Sequence, residues 1–388
     1  MAQNCYDVII IGTGPAGGRA ACALAEKGLR TLILEKANLP RQKLCAGGIT
    51  QRGTNLIPEN LKHLIEKDCL NVDLHIHDIN RRFQSRSKSP LISMVNRGRF
   101  DYGLTLEATK SGAKIMEKSN VVRLEYSKNK VEAITSKETF NARYIILADG
   151  VTSPLAKNMG WPDNRKLIPA METEVKIKSR TDLYEKVRFD FGFISGGYAW
   201  VFPKTETLSI GMLGGNGVTL RRELKRYLRF LGLETQTNQN VLRGYPIPMA
   251  PRKKPFYQNR ILITGDSAGF VDPLTGEGIS YALMSGLIAA NAILNGFPDS
   301  KQVKNLFEYQ LASKITRELH IGKILANFIY GPSWLRSKIF TFYGPSLCNA
   351  MIKVINGEKT YFDLIKDFKN YIRLFPRFRF IQKKETTK

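Results

Sequence analysis

Residues 6–18 read YDVIIIGTGPAGG, an apolar run that is β-branched from Val8 to Ile11 and then breaks into glycines at 12, 14, 17 and 18. Such a run predicts a buried strand, and residues 16–27, with apolar side chains at helical spacing, predict the helix that follows. The glycines have separate uses in this setting. Gly12 permits the tight turn, Gly14 lets the backbone approach a pyrophosphate, and Gly17 allows close packing of helix on strand. Unpaired N–H groups at the helix start, around Ala16, would face the phosphates. Residues 31–34 predict a second strand, and Glu35, 23 positions after Gly12, is placed to accept hydrogen bonds from a ribose diol. This is a Rossmann-like dinucleotide site, with FAD and NAD both open at this point.

Two later segments favour FAD. Residues 144–148 form another apolar run that ends in Asp149-Gly150, and residues 260–264 form one more, ending in Gly265-Asp266. Ligands of open α/β sheets lie beyond the carboxyl ends of the strands, so both dipeptides point at the crevice of Gly12. Asp266 is suited to accept from a ribityl chain. Gly278 and Ile279 open a further helix whose N-terminal amides would face the electron-rich pyrimidine edge of a reduced flavin.

Bulk composition narrows the rest. The chain has 388 residues, 43% of them hydrophobic, enough for two or three packed domains. Five cysteines without paired spacing point away from a disulfide framework or a zinc site and toward a reducing compartment. The first residues lack the basic start of a signal peptide, so a cytoplasmic location is expected. The longest nearly uncharged stretch, 279–294, spans 16 residues and is read as a buried helix, short of the roughly 20 that cross a bilayer. The net charge of +25 attracts polyanions, yet no nucleic-acid module is visible. The basic residues concentrate only in the tail, where Arg373, Arg377, Arg379 and Lys383 alternate with aromatics. That mixture suits a membrane surface as well as it suits a solvated face. His75 and His77 would share one face of a strand, but no third ligand is evident and no metal is assigned.

The set Gly12, Gly14, Gly17, Glu35, Asp149-Gly150, Gly265-Asp266 and Asp272-Pro273 resembles the flavoprotein group that includes p-hydroxybenzoate hydroxylase, over residues 1 to about 295. Within that group three segments resemble the geranylgeranyl reductase family. Lys43-Leu44-Cys45-Ala46-Gly47-Gly48 matches its K-x-C-x-G-G loop, Arg97-Gly98-Arg99-Phe100-Asp101 its R-x-x-F-D segment, and Tyr198-Ala199-Trp200-Val201-Phe202-Pro203 its Y-x-W-x-F-P motif. The resemblance implies that Cys45, Ala46, Gly48, Arg97, Ala16, Ile279 and the residue near Val122 touch FAD. It also implies saturation of isolated double bonds in a geranylgeranyl or other isoprenoid chain, carried on a chlorophyll precursor, quinone, diphosphate or lipid. NADPH or reduced ferredoxin would supply the electrons. The alternative is a single-component flavin monooxygenase acting on an aromatic or polyene substrate, and a third reading is a prenyl-lipid carrier that keeps FAD as a structural element.

The fold expected is α/β: a Rossmann-like FAD-binding domain (1–165 plus 243–298, with 50–100 partly on the substrate side), an inserted antiparallel β-sheet substrate domain (166–242), and a helical C-terminal region (299–388). Tyr198, Trp200 and Phe202 alternate and so share one face of that sheet, forming an apolar wall. No carbonyl activates an isoprenoid double bond, so hydride delivery must be coupled to protonation of the neighbouring carbon. Cation character then builds, which an aromatic face stabilises by about 0.5–2 kcal/mol. Tyr198 and Trp200 are the candidates for that role, and Cys45, Tyr198 or water for the proton.

Overall fold

The computed structural model describes residues 5–176, 182–234 and 242–366; the basic tail after 366 lies outside them. The main sheet runs in the order Tyr257–Gln258, Ile261–Ile263, Thr139–Leu147, Cys5–Ile11, Thr31–Leu34, Lys114–Met116. The four pairings from Ile261–Ile263 through to Lys114–Met116 are parallel. Val131–Thr135 and Val121–Tyr126 extend Thr139–Leu147 as an antiparallel meander. The central strand Cys5–Ile11 is flanked on one side by Thr31–Leu34 and on the other by Thr139–Leu147, so the strand order reverses at its carboxyl end. That reversal opens the crevice in which ligands of such sheets lie.

The helix Pro15–Ala25 packs on Arg97–Lys110 and on Ile279–Gly296. The approach is close: a Cβ on Gly286 would fall 2.1 Å from the Ala16 carbonyl oxygen. Ile279–Gly296 is long and apolar enough to cross a membrane, but 72% of it is buried within the fold. It is a core helix of the half built on the main sheet.

The second sheet has the order Arg243–Pro248, Leu167–Lys176, Thr207–Leu213, Tyr198–Pro203, Val187–Phe191, Asn71–Ile76, Arg81–Arg86. It reaches outside 166–242 at both edges, and it is mixed rather than antiparallel, because Val187–Phe191 pairs in parallel with Asn71–Ile76. The physical reason is chain separation. Neighbours in a hairpin must run antiparallel, whereas strands more than a hundred residues apart are free to run either way. One face of this sheet is covered by the amphipathic helix Gly217–Phe230, which buries Leu220, Leu224, Tyr227 and Leu228 against Val201, Ile210 and Met212. The other face looks onto the main sheet's crevice. The helices Ser300–Leu311, Arg317–Ile329 and Ser333–Ile355 form the C-terminal region; the first packs on Ile279–Gly296, and one end of the space between the sheets is closed where Tyr330, Ile352 and Ile355 pack on the aromatic strands.

Candidate functional site

Between the two sheets lies a cavity of about 610 Å³. Its wall contains Gly12, Gly14, Ala16, Glu35, Cys45, Ala46, Gly48, Arg97, Asp266, Gly278 and Ile279, together with Tyr198 and Trp200. Gly17 and Val122 are not in the wall. Gly17 is buried beneath it, and Val122 is 48% exposed while its neighbour Val121 faces inward, as alternation along a strand requires.

The glycine turn differs from residue to residue. Gly12 has φ +99°, and a Cβ there would meet the Ala148 carbonyl oxygen at 2.5 Å. On Gly17 it would meet the Gly12 carbonyl oxygen at 2.0 Å, so the helix can sit this close to the strand only without a side chain. At Gly14 a Cβ would have no atom within 4 Å and would project into open space. Two helices, Pro15–Ala25 and Ile279–Gly296, begin at the cavity with no side-chain cap on their first amides. Each offers unpaired N–H groups and a positive dipole end to an anion.

Charged residues cluster at the end holding Glu35. That carboxylate is buried; it accepts from Thr13 N at 3.0 Å, Thr13 Oγ1 at 2.6 Å and Ala37 N at 3.0 Å, with Arg41 at 3.5 Å. Burial works to raise its pKa, yet these donors and Arg41 hold it below the ordinary value. Arg97 makes a bidentate pair with buried Asp101 at 2.9 and 3.0 Å, so it stays charged although burial opposes it; it also faces the Cys45 thiol. Cys45 Sγ accepts from Gly47 N at 3.4 Å. Burial pushes the Asp266 carboxyl above its usual range, against the attraction of Arg97, Lys43 and Arg165. Lys43 is itself lowered to about 8, by burial and by the charges of Arg97 and Arg41, and its ammonium lies against the Tyr245 hydroxyl.

Asp149 accepts from Ser153 and Ser267 through Oδ1, at 2.7 and 2.8 Å, while its Oδ2 is buried without a partner among the described residues. An orphaned buried oxygen of this kind is costly unless a ligand or water satisfies it. Glu277 ties the start of Ile279–Gly296 to the Cys45 side of the cavity, accepting from Thr50 Oγ1 at 2.6 Å and from Arg52 at 2.8 Å.

The opposite wall is aromatic. Tyr198, Trp200 and Phe202 face inward from one strand, with successive ring centroids 6.0 and 6.3 Å apart, and Phe189 meets Tyr198 and Phe202 edge-on at 5.5 and 5.3 Å. Trp200 lies over Gly211, where a Cβ would sit 2.3 Å from Cζ2 of the indole. The Tyr198 hydroxyl donates to the Thr275 carbonyl, and burial pushes its phenol well above the ordinary value. Its proton is thus committed to positioning the loop before Ile279. His75 and His77 do not reach this cavity: His77 Nε2 bonds Asp190 at 2.7 Å, His75 lies 3.6 Å from Asp73, and no group of three metal-ligating side chains occurs among the described residues.

Sequence reasoning missed Lys43, Tyr245 and Glu172 as wall residues. Strand alternation puts Glu172 at the same parity as buried Ala170, but Glu174 shares that parity and is exposed, so alternation by itself did not single Glu172 out.

An open glycine, an orphaned carboxylate oxygen and two uncapped helix starts on one cavity fit a dinucleotide with a diphosphate in its middle. The FAD binding domain family matches residues 5–194. Digeranylgeranylglycerophospholipid reductase 1 of Methanopyrus kandleri is 30% identical over 340 residues, covering 79% of this chain and 85% of the relative. The chloroplastic geranylgeranyl diphosphate reductase of Oryza sativa subsp. japonica is 30% identical over 365 residues, covering 84% of this chain and 72% of the relative. Among solved structures, a geranylgeranyl bacteriochlorophyll reductase-like protein of Thermoplasma acidophilum has the same fold, with a TM-score of 0.75, 22% identity and coverage of 85% of this chain and 88% of that one.

Proposed function

From the membership of this chain in the geranylgeranyl reductase family of FAD-dependent oxidoreductases, we propose that it saturates isolated double bonds of a geranylgeranyl or related isoprenoid chain. The observation that carries this reading is the union, in one cavity, of a polar half built for a dinucleotide and an aromatic half built for hydrocarbon.

The chain's own residues divide the work. Gly14 and the first amides of Pro15–Ala25 hold the pyrophosphate, and Glu35 holds the adenosine ribose. Arg97, Asp266 and the backbone at Ala46, Gly48 and Gly278 enclose the ribityl chain and ring. FAD, once reduced, supplies a hydride. Tyr198 fixes the loop that opens Ile279–Gly296, whose dipole favours the negative charge of the reduced ring. Trp200, Phe202 and Phe189 exclude water and stabilise cation character in the prenyl chain. NADPH or reduced ferredoxin is proposed as the electron source, and the exposed Trp334 and Phe342 of the C-terminal helices as a place of contact with a membrane surface that stores the substrate.

The test is anaerobic reduction of the purified flavoprotein, followed by addition of prenyl diphosphates, prenylated quinones and prenylated glycerolipids. Reoxidation of the flavin, matched by products heavier by two hydrogens per bond, is expected. A reduced flavin unaffected by every prenyl compound, yet consumed by oxygen with insertion of one oxygen atom into an aromatic substrate, would overturn the reading.

A further inference from the structure

We infer that Glu172 delivers the proton that completes double-bond saturation: it lines the cavity on the aromatic sheet face, across one intervening strand from Trp200 and beside Cys45. The assignment rests on the reductase reading above.

Placement comes from register. Trp200 pairs with Gly211, and Gly211 pairs with Glu172 on its other side, so the three share one row and one face. Because Gly211 has no side chain, the indole lies across it toward the carboxyl. Trp200 Nε1 reaches Ser209 Oγ at 3.5 Å, and that hydroxyl donates to Glu172 Oε2 at 3.4 Å. The Cys45 backbone N–H lies close enough to the carboxyl to favour its charged form, and both residues line the cavity. Glu172 thereby links the loop at Cys45 to the aromatic wall, where the reacting carbon must lie.

Its surroundings suit an acid at neutral pH. Glu172 is 5% exposed, and burial raises it to about 7, with Glu174 adding to the rise and Lys204, Cys45 N–H and Ser209 opposing it. Lys204 is paired with Glu174, and Arg243, its register neighbour on the outer strand, bonds Gln42 at 3.0 Å. Neither cation neutralises it fully. A donor whose pKa matches the working pH is the efficient one. Tyr198, the competing hydroxyl, is held by Thr275.

The step balances. Hydride from reduced flavin and the proton from the Glu172 carboxyl add to the two carbons of the double bond. The flavin leaves oxidised, and Glu172 leaves as a carboxylate that water reprotonates.

Two measurements test it. The first uses the resting holoprotein labelled with ¹³C in its glutamate carboxyls: one resonance should titrate near pH 7 and be missing in Glu172→Gln. A midpoint for Glu172 at an ordinary carboxylate value, about 4.3, would overturn the assignment. The second is single-turnover reoxidation across pH. The wild-type rate should fall as pH rises through about 7, since the protonated form is the donor. Glu172→Gln should lose roughly 100-fold or more and lose that limb, with FAD absorbance unchanged; Cys45→Ala should keep the limb. Wild-type rates and pH dependence in Glu172→Gln, or loss of the limb in Cys45→Ala alone, would remove Glu172 from the role. If Glu172→Gln does not retain FAD, Glu172→Asp serves: a slower reaction with a displaced limb supports the assignment, and an unchanged profile refutes it. A wild type that transfers nothing to any prenyl compound defeats the reductase reading itself, whatever the resonance does.

Discussion

Gly14→Ala separates folding from cofactor binding. Gly14 has φ −68° and ψ 178°, an extended conformation open to alanine, and the new methyl would touch nothing within 4 Å. The apoprotein should therefore keep its stability, or gain about 0.4–1 kcal/mol from a less flexible unfolded chain. In the holoprotein the methyl would stand where a diphosphate must come within hydrogen-bonding distance of the backbone. Pushing the phosphates off two charge-assisted N–H contacts, at about 1.5–3 kcal/mol each, weakens FAD binding by about 3–6 kcal/mol. That corresponds to at least roughly 100-fold in Kd. Gly17→Ala makes the contrast, because its Cβ would lie 2.0 Å from the Gly12 carbonyl oxygen and force helix from strand in either state. Calorimetric titration of apoprotein with FAD, beside urea unfolding of both apo variants, reads the difference. A Gly14→Ala protein that binds FAD as tightly as wild type would refute the placement of the diphosphate. So would one that unfolds as readily as Gly17→Ala.

Trp200→Leu removes the ring face while keeping apolar bulk, so turnover should fall by about 0.5–2 kcal/mol of barrier, roughly 2- to 30-fold, with FAD affinity unchanged; stopped-flow reoxidation measures it. Gly211→Ala should act on the same indole indirectly, since its Cβ would lie 2.3 Å from Trp200 Cζ2; a shift of Trp200 fluorescence and a changed preference among prenyl chain lengths are expected. Asp190→Asn strips a fully buried carboxylate of its charge while Arg188 and His77 remain around it, and should cost about 3–5 kcal/mol in urea unfolding. Burial would raise the Asp190 pKa, but His77, Arg188 and Tyr227 hold it at about 2. Its contribution is accordingly complete above the unfolded value near 3.8 and is lost as pH falls toward about 2, a limb absent from the variant's acid-stability curve.

The parts of the site that were legible in the amino-acid sequence are the local ones. A strand, a glycine turn and a helix form from neighbours in the chain, so the separate duties of Gly12, Gly14 and Gly17 follow from spacing, and Glu35 follows from the length of one strand–helix–strand unit. Strand alternation likewise puts Tyr198, Trp200 and Phe202 on one face before any partner strand is known. The same alternation, without the register, did not distinguish Val121 from Val122. The sequence also has no means of showing that Asn71–Ile76 joins Val187–Phe191 in parallel, or that His77 is bound to Asp190, since those contacts join segments more than a hundred residues apart. Glu172 and Cys45 make the clearest case. One lies on a sheet strand and the other on a loop after the second strand, and only the packing of the two sheets brings them to one cavity and buries the carboxyl. Desolvation raises the Glu172 pKa, and desolvation belongs to the whole fold, because it depends on every segment that covers the carboxyl rather than on the residues beside it in the chain.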